Sequence, residues 1–428
     1  MSGKRTTLLG TVAATALIAS AATALAGGFA IREQSAESQG ASFAGNAAGT
    51  GLGAMFWNPA ATANKTGPGI NTESNYSLIL PKAEVTVESA TGALAPFLGA
   101  PGTPSSTEIG HAAVVPASYA SYQLSPAMFL GVGLNSAFGL GTEPKDATYD
   151  GAALGRRSAL FTVGATPTLA YVIAPGVTVG AGAQINYAKG IFKFATGRPT
   201  DPSSSFQGDD VAFGATAGVM LTPAPGTRIG LGWRSALTHE LDGTFNRPAV
   251  AGLGISAQNY AGTAEVKLPD IVTLSLNQAL SSNTRLLGTV EWSNWSRFKE
   301  LRVKDKSGAK PDLVIDADWV DGWFFSVGGE YDYSRQLTLR TGVGYEWSPI
   351  DDAKKRLTGV PDSNRVWASI GGNYKVTEAT SIDLAYTHVF FEDAQFDRHV
   401  TAGAAALNVK GSVDASTDII ALGLKTKF

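Results

Sequence analysis

From Gly69 onward, apolar and polar positions alternate with a period of two, the pattern of strands buried on one face. The clearest run is Leu337 to Trp347. Leu337, Leu339, Thr341, Val343, Tyr345 and Trp347 share one face, and Thr338, Arg340, Gly342, Gly344 and Glu346 share the other. Ile382, Leu384, Tyr386 and Phe390 alternate likewise with Ser381, Asp383 and Thr387, and Leu286, Val290 and Trp292 with Thr289, Glu291 and Ser293. A soluble sandwich alternates in the same way, so periodicity alone does not assign the faces.

The spacing of the breaks narrows the choice. Tight turns are predicted at Ser125-Pro126, Ala174-Pro175-Gly176, Pro223 to Thr227, Ser281 to Thr284, Tyr333 to Gln336 and Val376 to Thr380. Between them lie longer polar stretches at 88–110, 139–158, 195–208, 242–260, 299–317, 350–364 and 396–410. Short turns on one side and long loops on the other mark an outer-membrane barrel, and these breaks join about fourteen strands. The closing run Ile420 to Phe428 alternates and ends on an aromatic, as a last strand read by the barrel assembly machinery would. Trp292, Trp295, Trp319, Trp323, Trp347 and Trp367 fall near the long-loop ends, where an aromatic girdle meets the lipid interface.

Composition agrees with that class. The chain is 44% hydrophobic and 16% charged, has no cysteine, and carries fifty glycines without a collagen period. No stretch after the first thirty residues approaches the ~18 apolar residues that a membrane helix needs. Residues 1–26 read as a secretory signal: Lys4 and Arg5 are basic, Leu8 to Ser20 is apolar, and Ala24-Leu25-Ala26 suits cleavage. Removing Lys4 and Arg5 takes the net charge from −3 to −5, which leaves no footprint for nucleic acid.

The stretch Gly28 to Ala60 differs from everything after it. It is rich in Gly, Ala and Ser, ends in Trp57-Asn58-Pro59-Ala60, and is too poor in large side chains to form its own core. It is also too apolar for a solvated tail, so it is expected inside the barrel as a plug. Gly28-Phe29-Ala30-Ile31, the small-residue run and Asn58-Pro59-Ala60 together resemble the N-terminal hatch of the FadL outer-membrane transporters of long-chain fatty acids and other hydrophobic compounds. Leu134 to Glu143, Gly180-Ala181-Gly182 with Asn186-Tyr187-Ala188, Leu268-Pro269-Asp270, Trp292 to Phe298 and Pro361 to Arg365 extend the resemblance along the chain.

The resemblance implies an all-β fold: a transmembrane antiparallel β-barrel of about 14 strands (69–428) plugged by an N-terminal hatch (27–68). It implies ligand contacts at Phe29 and Ile31, and a kink in the third strand at Ser136, Ala137, Phe138 and Gly139 that opens the wall sideways into the membrane. Asn135-Ser136-Ala137 followed by Gly139 is itself a poor strand sequence, and glycine in a strand often marks a bend. Lys193-Phe194 matches, across a one-residue gap, the family's basic residue and Phe that meet a carboxylate.

Enzymatic chemistry finds little support. His111, His239, His388 and His399 form no motif with Ser and Asp and have no metal-ligand spacing, and Gly49 to Gly53 lacks the Lys-Ser/Thr of a phosphate loop. No cofactor and no metal is called for. Glu291, Glu330, Arg340, Glu346 and Asp383 have interior parity, and Glu330 and Arg340 flank the turn at Tyr333 to Gln336, which predicts an ion pair inside the barrel. The expected function is passive uptake of hydrophobic compounds, long-chain fatty acids first and monoaromatic hydrocarbons second, across a Gram-negative outer membrane. A general porin or a membrane lipid hydrolase are the readings from other classes. Expected partners are the hydrophobic solute, outer-membrane lipid with lipopolysaccharide, and the assembly machinery, with the chain acting as a monomer.

Overall fold

Strands whose two faces differ in polarity must either pair into a second layer or close on themselves. Here they close. In the computed structural model, which describes residues 27–64, 69–99, 103–402 and 405–428, one antiparallel sheet runs around fourteen crossing strands. The expected secretory signal, 1–26, lies outside the described residues.

β1 (Ile70–Gly92) and β2 (Ala113–Gln123) are followed by β3, which comes in two pieces, Met128–Asn135 and Gly139–Thr142. β4 (Arg157–Ala174), β5 (Val177–Ala195) and β6 (Ser203–Ala224) are long and continuous. Four strands each break once: β7 (Thr227–Arg234, Leu237–Arg247), β8 (Gln258–Leu268, Ile271–Ala279), β9 (Thr284–Ser293, Glu300–Asp305) and β10 (Leu313–Asp316, Gly322–Asp332). β11 (Leu337–Trp347), β12 (Arg365–Lys375), β13 (Thr380–Phe391, Ala394–Ala402) and β14 (Ala405–Lys427) complete the wall. β14 pairs with β1 from Asn71↔Lys427 to Gly92↔Leu407, so the sheet closes on itself.

The wall is apolar outside and polar inside. Leu130, Val132 and Leu134 on β3, Leu274 and Leu276 on β8, and Ile420, Leu422 and Leu424 on β14 are exposed. Glu73, Asn75 and Ser77 on β1 and Thr273, Ser275 and Asn277 on β8 are buried. This inverts a soluble sandwich and fits a lipid-facing wall. The six predicted turns fall where the strands reverse. Several expected long loops instead carry paired strand: β1 runs on to Gly92, and Glu300–Asp305 pairs with Leu313–Asp316. Polar side chains on both faces do not stop backbone ladders from forming above the membrane.

The girdle is half as large as expected. Trp292, Trp323 and Trp347 sit opposite one another on β9, β10 and β11 and face outward. Trp295, Trp319 and Trp367 are buried inside, each 1% exposed or less. Trp295 and Trp319 lie in the breaks of β9 and β10, where the parity of the strand no longer holds. Trp367 has inward parity on β12 and meets Phe43 edge-on at 5.8 Å.

Gly27 to Asn64 fills the barrel. Ser35 caps a one-turn helix, α1 (Ala36–Gln39), by accepting from the Ser38 N–H at 3.3 Å, and three short 3₁₀ turns follow. Phe43, Met55, Phe56 and Trp57 are each under 5% exposed, and burial of such side chains stabilises by roughly 1.5–3 kcal/mol apiece. The hatch backbone touches the wall because the wall lacks side chains there. A Cβ on Gly232 would stand 1.7 Å from the Trp57 carbonyl oxygen, and one on Gly230 would stand 2.0 Å from that of Ala47. Asn58 is fully buried and joins the two parts. Its amide donates to the carbonyls of Ala47 (3.0 Å) and Val219 (2.9 Å) and its oxygen accepts from the Ala60 N–H at 3.0 Å, with Pro59 opening the last turn.

Candidate functional site

At the outer end of the barrel the breaks in β9 and β10 turn aromatic side chains inward around the start of the hatch. Phe29 lies edge-on to Trp295 (ring centroids 4.7 Å apart) and Phe298 (5.5 Å), and tilted against Trp319 (5.6 Å). Beyond this cage lies a cavity of about 320 Å³ lined by Phe29, Leu140, Leu160, Phe192, Phe194, Val266, Phe298 and Leu301, with Asp316, Arg398 and His399 in its wall. Its size and apolar lining with few polar groups are those of a small-molecule site.

Phe29 and Phe194 therefore meet at one cavity, while Lys193 is not among its lining residues. Neighbouring residues on a strand point to opposite faces, so with Phe192 and Phe194 turned inward on β5 Lys193 is turned out, and it is exposed. The cation that does line the cavity is Arg398 on the outer part of β13. Its guanidinium donates to the backbone carbonyls of Lys354 and of Asp316 (2.9 Å for the latter), and no carboxylate pairs with it among the described residues. Burial pushes its pKa below the ordinary arginine value against the pull of the Asp316 charge. Trp295, Phe298, Trp319 and Arg398 were not legible as site residues. The lapse of alternation between Ser293 and Lys299 is the one signal that separates Trp295 from the girdle.

β3 is interrupted between Asn135 and Gly139. Pairing of β2 with β3 ends at Ser118↔Leu134, yet β3 stays paired with β4 as far as Thr142↔Ser158. Between Asn135↔Gly164 and Gly139↔Phe161, three residues of β3 oppose two of β4, a one-residue bulge. Thr162 closes it: its hydroxyl bonds the Phe138 backbone, and its carbonyl accepts from the Ser136 hydroxyl at 2.5 Å. Along the edge that β2 has left, the N-terminal segment takes over. The Ile31 N–H donates to the Ala137 carbonyl and the Gly139 N–H to that of Phe29, both at 2.9 Å. Ile31 packs on Gly139, where a Cβ would stand 2.7 Å from its Cδ1 atom, so it belongs to the seam and not to the cavity. Gln34 ties the seam together, its side-chain amide donating to the Ser136 carbonyl at 2.7 Å while its backbone carbonyl accepts from the Tyr119 hydroxyl at 3.1 Å.

Two ionic clusters hold the hatch. Near the short-turn end Arg340 donates to Glu330 and Asp383, both at 2.6 Å, and Lys425 bridges Asp383 (2.9 Å) to Glu37 of the hatch. Near the outer end Arg32 of the hatch donates to Glu291 (2.7 Å) and Glu346 (3.0 Å) with its guanidinium 3.8 Å from the Phe324 ring centroid.

A closed barrel with a polar interior, stoppered by its own N-terminal segment and opening at one end on an apolar cavity, defines a plugged outer-membrane transporter. The chain belongs to the outer membrane protein transport protein family (OMPP1/FadL/TodX), whose model matches residues 16–428. It is accordingly an outer-membrane transporter of hydrophobic compounds. It is similar to the putative outer membrane protein NMB0088 of Neisseria meningitidis, 26% identical over 99% of this chain and 98% of that one. It also resembles the long-chain fatty acid transport protein of Escherichia coli O6:H1, at 24% identity over 66% of this chain and 70% of that one. A crystal structure of a Pseudomonas aeruginosa FadL homologue superposes with a TM-score of 0.83 at 20% identity, covering 94% of this chain and all of the other.

Proposed function

We propose that this protein takes up long-chain fatty acids, binding them in the outer cavity and releasing them sideways through the seam between β2 and β3. The carrying observation is an apolar cavity whose wall holds a cation, Arg398, with no carboxylate partner among the described residues. An acyl chain gains ~0.8 kcal/mol for each CH₂ that leaves water, and a carboxylate in so dry a site needs a cationic partner. Phe29 both lines the cavity and hydrogen-bonds the kinked strand, so a ligand that displaces it also frees the seam. In this reading the chain works as a monomer, with lipid and lipopolysaccharide around the wall and β14 recognised during assembly.

Calorimetric titration of the purified protein with oleate, in a detergent that does not compete, tests the reading. Oleate should bind, Arg398→Ala should weaken it, and Lys193→Ala should not. Toluene binding without oleate binding would move the protein to monoaromatic hydrocarbons. Binding of neither would remove the cavity as a transport site.

A further inference from the structure

The first residues of the hatch end in a buried cluster that is short of positive charge. The Gly27 N–H donates to Glu346 Oε1 at 3.2 Å and the Gly28 N–H to Asp362 Oδ2 at 3.0 Å. Glu346 also accepts from Arg32 (3.0 Å) and the Trp367 indole (3.1 Å) and lies 3.5 Å from the Arg365 guanidinium, and Asp362 accepts from Arg365 and the Ser348 hydroxyl (2.6 Å). With Glu291 on Arg32, three carboxylates, each 6% exposed or less, face two guanidiniums. The neighbouring Arg356 does not make up the difference, since it spends its donors on the backbone carbonyls of Asp362, Ile350 and Gln395. Glu33 beside them adds no full charge: burial pushes its carboxyl up to about 7, and one of its oxygens is buried with no hydrogen-bond partner. An uncompensated carboxylate in so dry a place is destabilising.

The small-x-small signal Ala24-Leu25-Ala26 would end the secretory segment at the residue before this contact. We propose that hydrolysis of the Ala26–Gly27 amide creates the missing cation, and that the new α-ammonium of Gly27 docks on the Glu346 carboxylate to complete the seating of the hatch. Hydrolysis by a signal peptidase consumes one water, leaving a carboxylate on Ala26 and, after proton uptake, an ammonium on Gly27. The amide has one N–H to offer and the ammonium three, and the ammonium adds a full positive charge opposite the carboxylate. The local sequence suits a chain end held this closely. A Cβ on Gly27 would stand 2.7 Å from Glu346 Oε1. Gly28 has φ +66°, and its Cβ would meet Trp319 at 2.8 Å and Trp295 at 2.9 Å. Processing and plug closure become one event: while the leader remains attached, the cluster keeps its excess negative charge.

The test uses the full precursor expressed and exported, with the mature protein purified from the outer membrane in detergent. Intact mass should place its first residue at Gly27. A neutral-pH acylating reagent should then modify the α-amine of the folded protein at least ~10-fold more slowly than that of the unfolded chain, as a one-unit rise in pKa gives. Glu346→Gln should restore fast modification, a change that a merely structural glutamate would not produce. If that variant does not fold, one alanine inserted before Gly27, with the mature chain starting on it, moves the ammonium by ~3.5 Å and should restore it instead. A first residue other than Gly27, or equal reactivity in folded and unfolded protein, overturns the proposal.

Discussion

The ring of Phe29 stands edge-on to Trp295, centroids 4.7 Å apart and planes at 73°, while its carbonyl accepts from Gly139 in the bend of β3. One residue of the hatch thus belongs at once to the wall of the outer cavity and to the seam in the barrel. In the proposed mechanism a ligand that displaced the side chain would also pull on the backbone that bridges the seam.

Replacing this ring tests the link. Phe29→Ala should leave the barrel folded, judged by its heat-dependent gel mobility, and weaken oleate binding at least ~10-fold in calorimetry, the equivalent of ~1.4 kcal/mol of lost apolar contact. Unchanged affinity would mean that Phe29 does not form part of the binding wall.

The hatch contact with the wall predicts how the plug can be loosened. A methyl on Gly232 has nowhere to go, 1.7 Å from the Trp57 carbonyl oxygen, whereas one on Gly288 meets only the Ser326 carbonyl at 3.9 Å. Gly232→Ala should raise ion conductance in planar bilayers above that of the parent protein, and Gly288→Ala should not.

Acid should weaken the lower anchor. Burial alone would raise the Glu37 carboxyl, but the charges of Lys425 and Arg340 overcome it and hold the group down at about 2, below its ordinary 4.5. A depressed carboxylate contributes stability that is fully present above pH 4.5 and is lost as the pH falls through about 2. Glu37→Gln should therefore be less stable than the parent at pH 7 by up to ~3 kcal/mol, at ~1.4 kcal/mol per unit. The difference in thermal unfolding should shrink below pH 4.5 and vanish near pH 2.

The division of the tryptophans is open to fluorescence. In bilayers of brominated lipid, single-tryptophan proteins retaining Trp323 or Trp347, which are 39% and 49% exposed, should be strongly quenched. Those retaining Trp295 or Trp319 should keep most of their emission. Equal quenching of all four would return Trp295 and Trp319 to the girdle.

Alternation and turn spacing by themselves determined the barrel, its strand number and the partnership of Glu330 with Arg340, because strand parity and a tight turn are local and propagate without error between breaks. The bend at Ser136 to Gly139 was legible for the same reason, as a run of poor strand formers. Parity failed where the strand itself failed. Trp295 and Trp319 sit in breaks of β9 and β10, and no local rule says which way a side chain turns there. Lys193 and Phe194 show the converse: the strand is regular, and its regularity is what separates two neighbours onto opposite faces. Arg398 carried no signal at all, since the backbone carbonyls that hold it belong to Lys354 and Asp316, far away in the chain. The sequence determined the wall, because a wall is built from a repeating local pattern. Only the tertiary structure decided the site, because a cavity is made where distant breaks in that pattern come together.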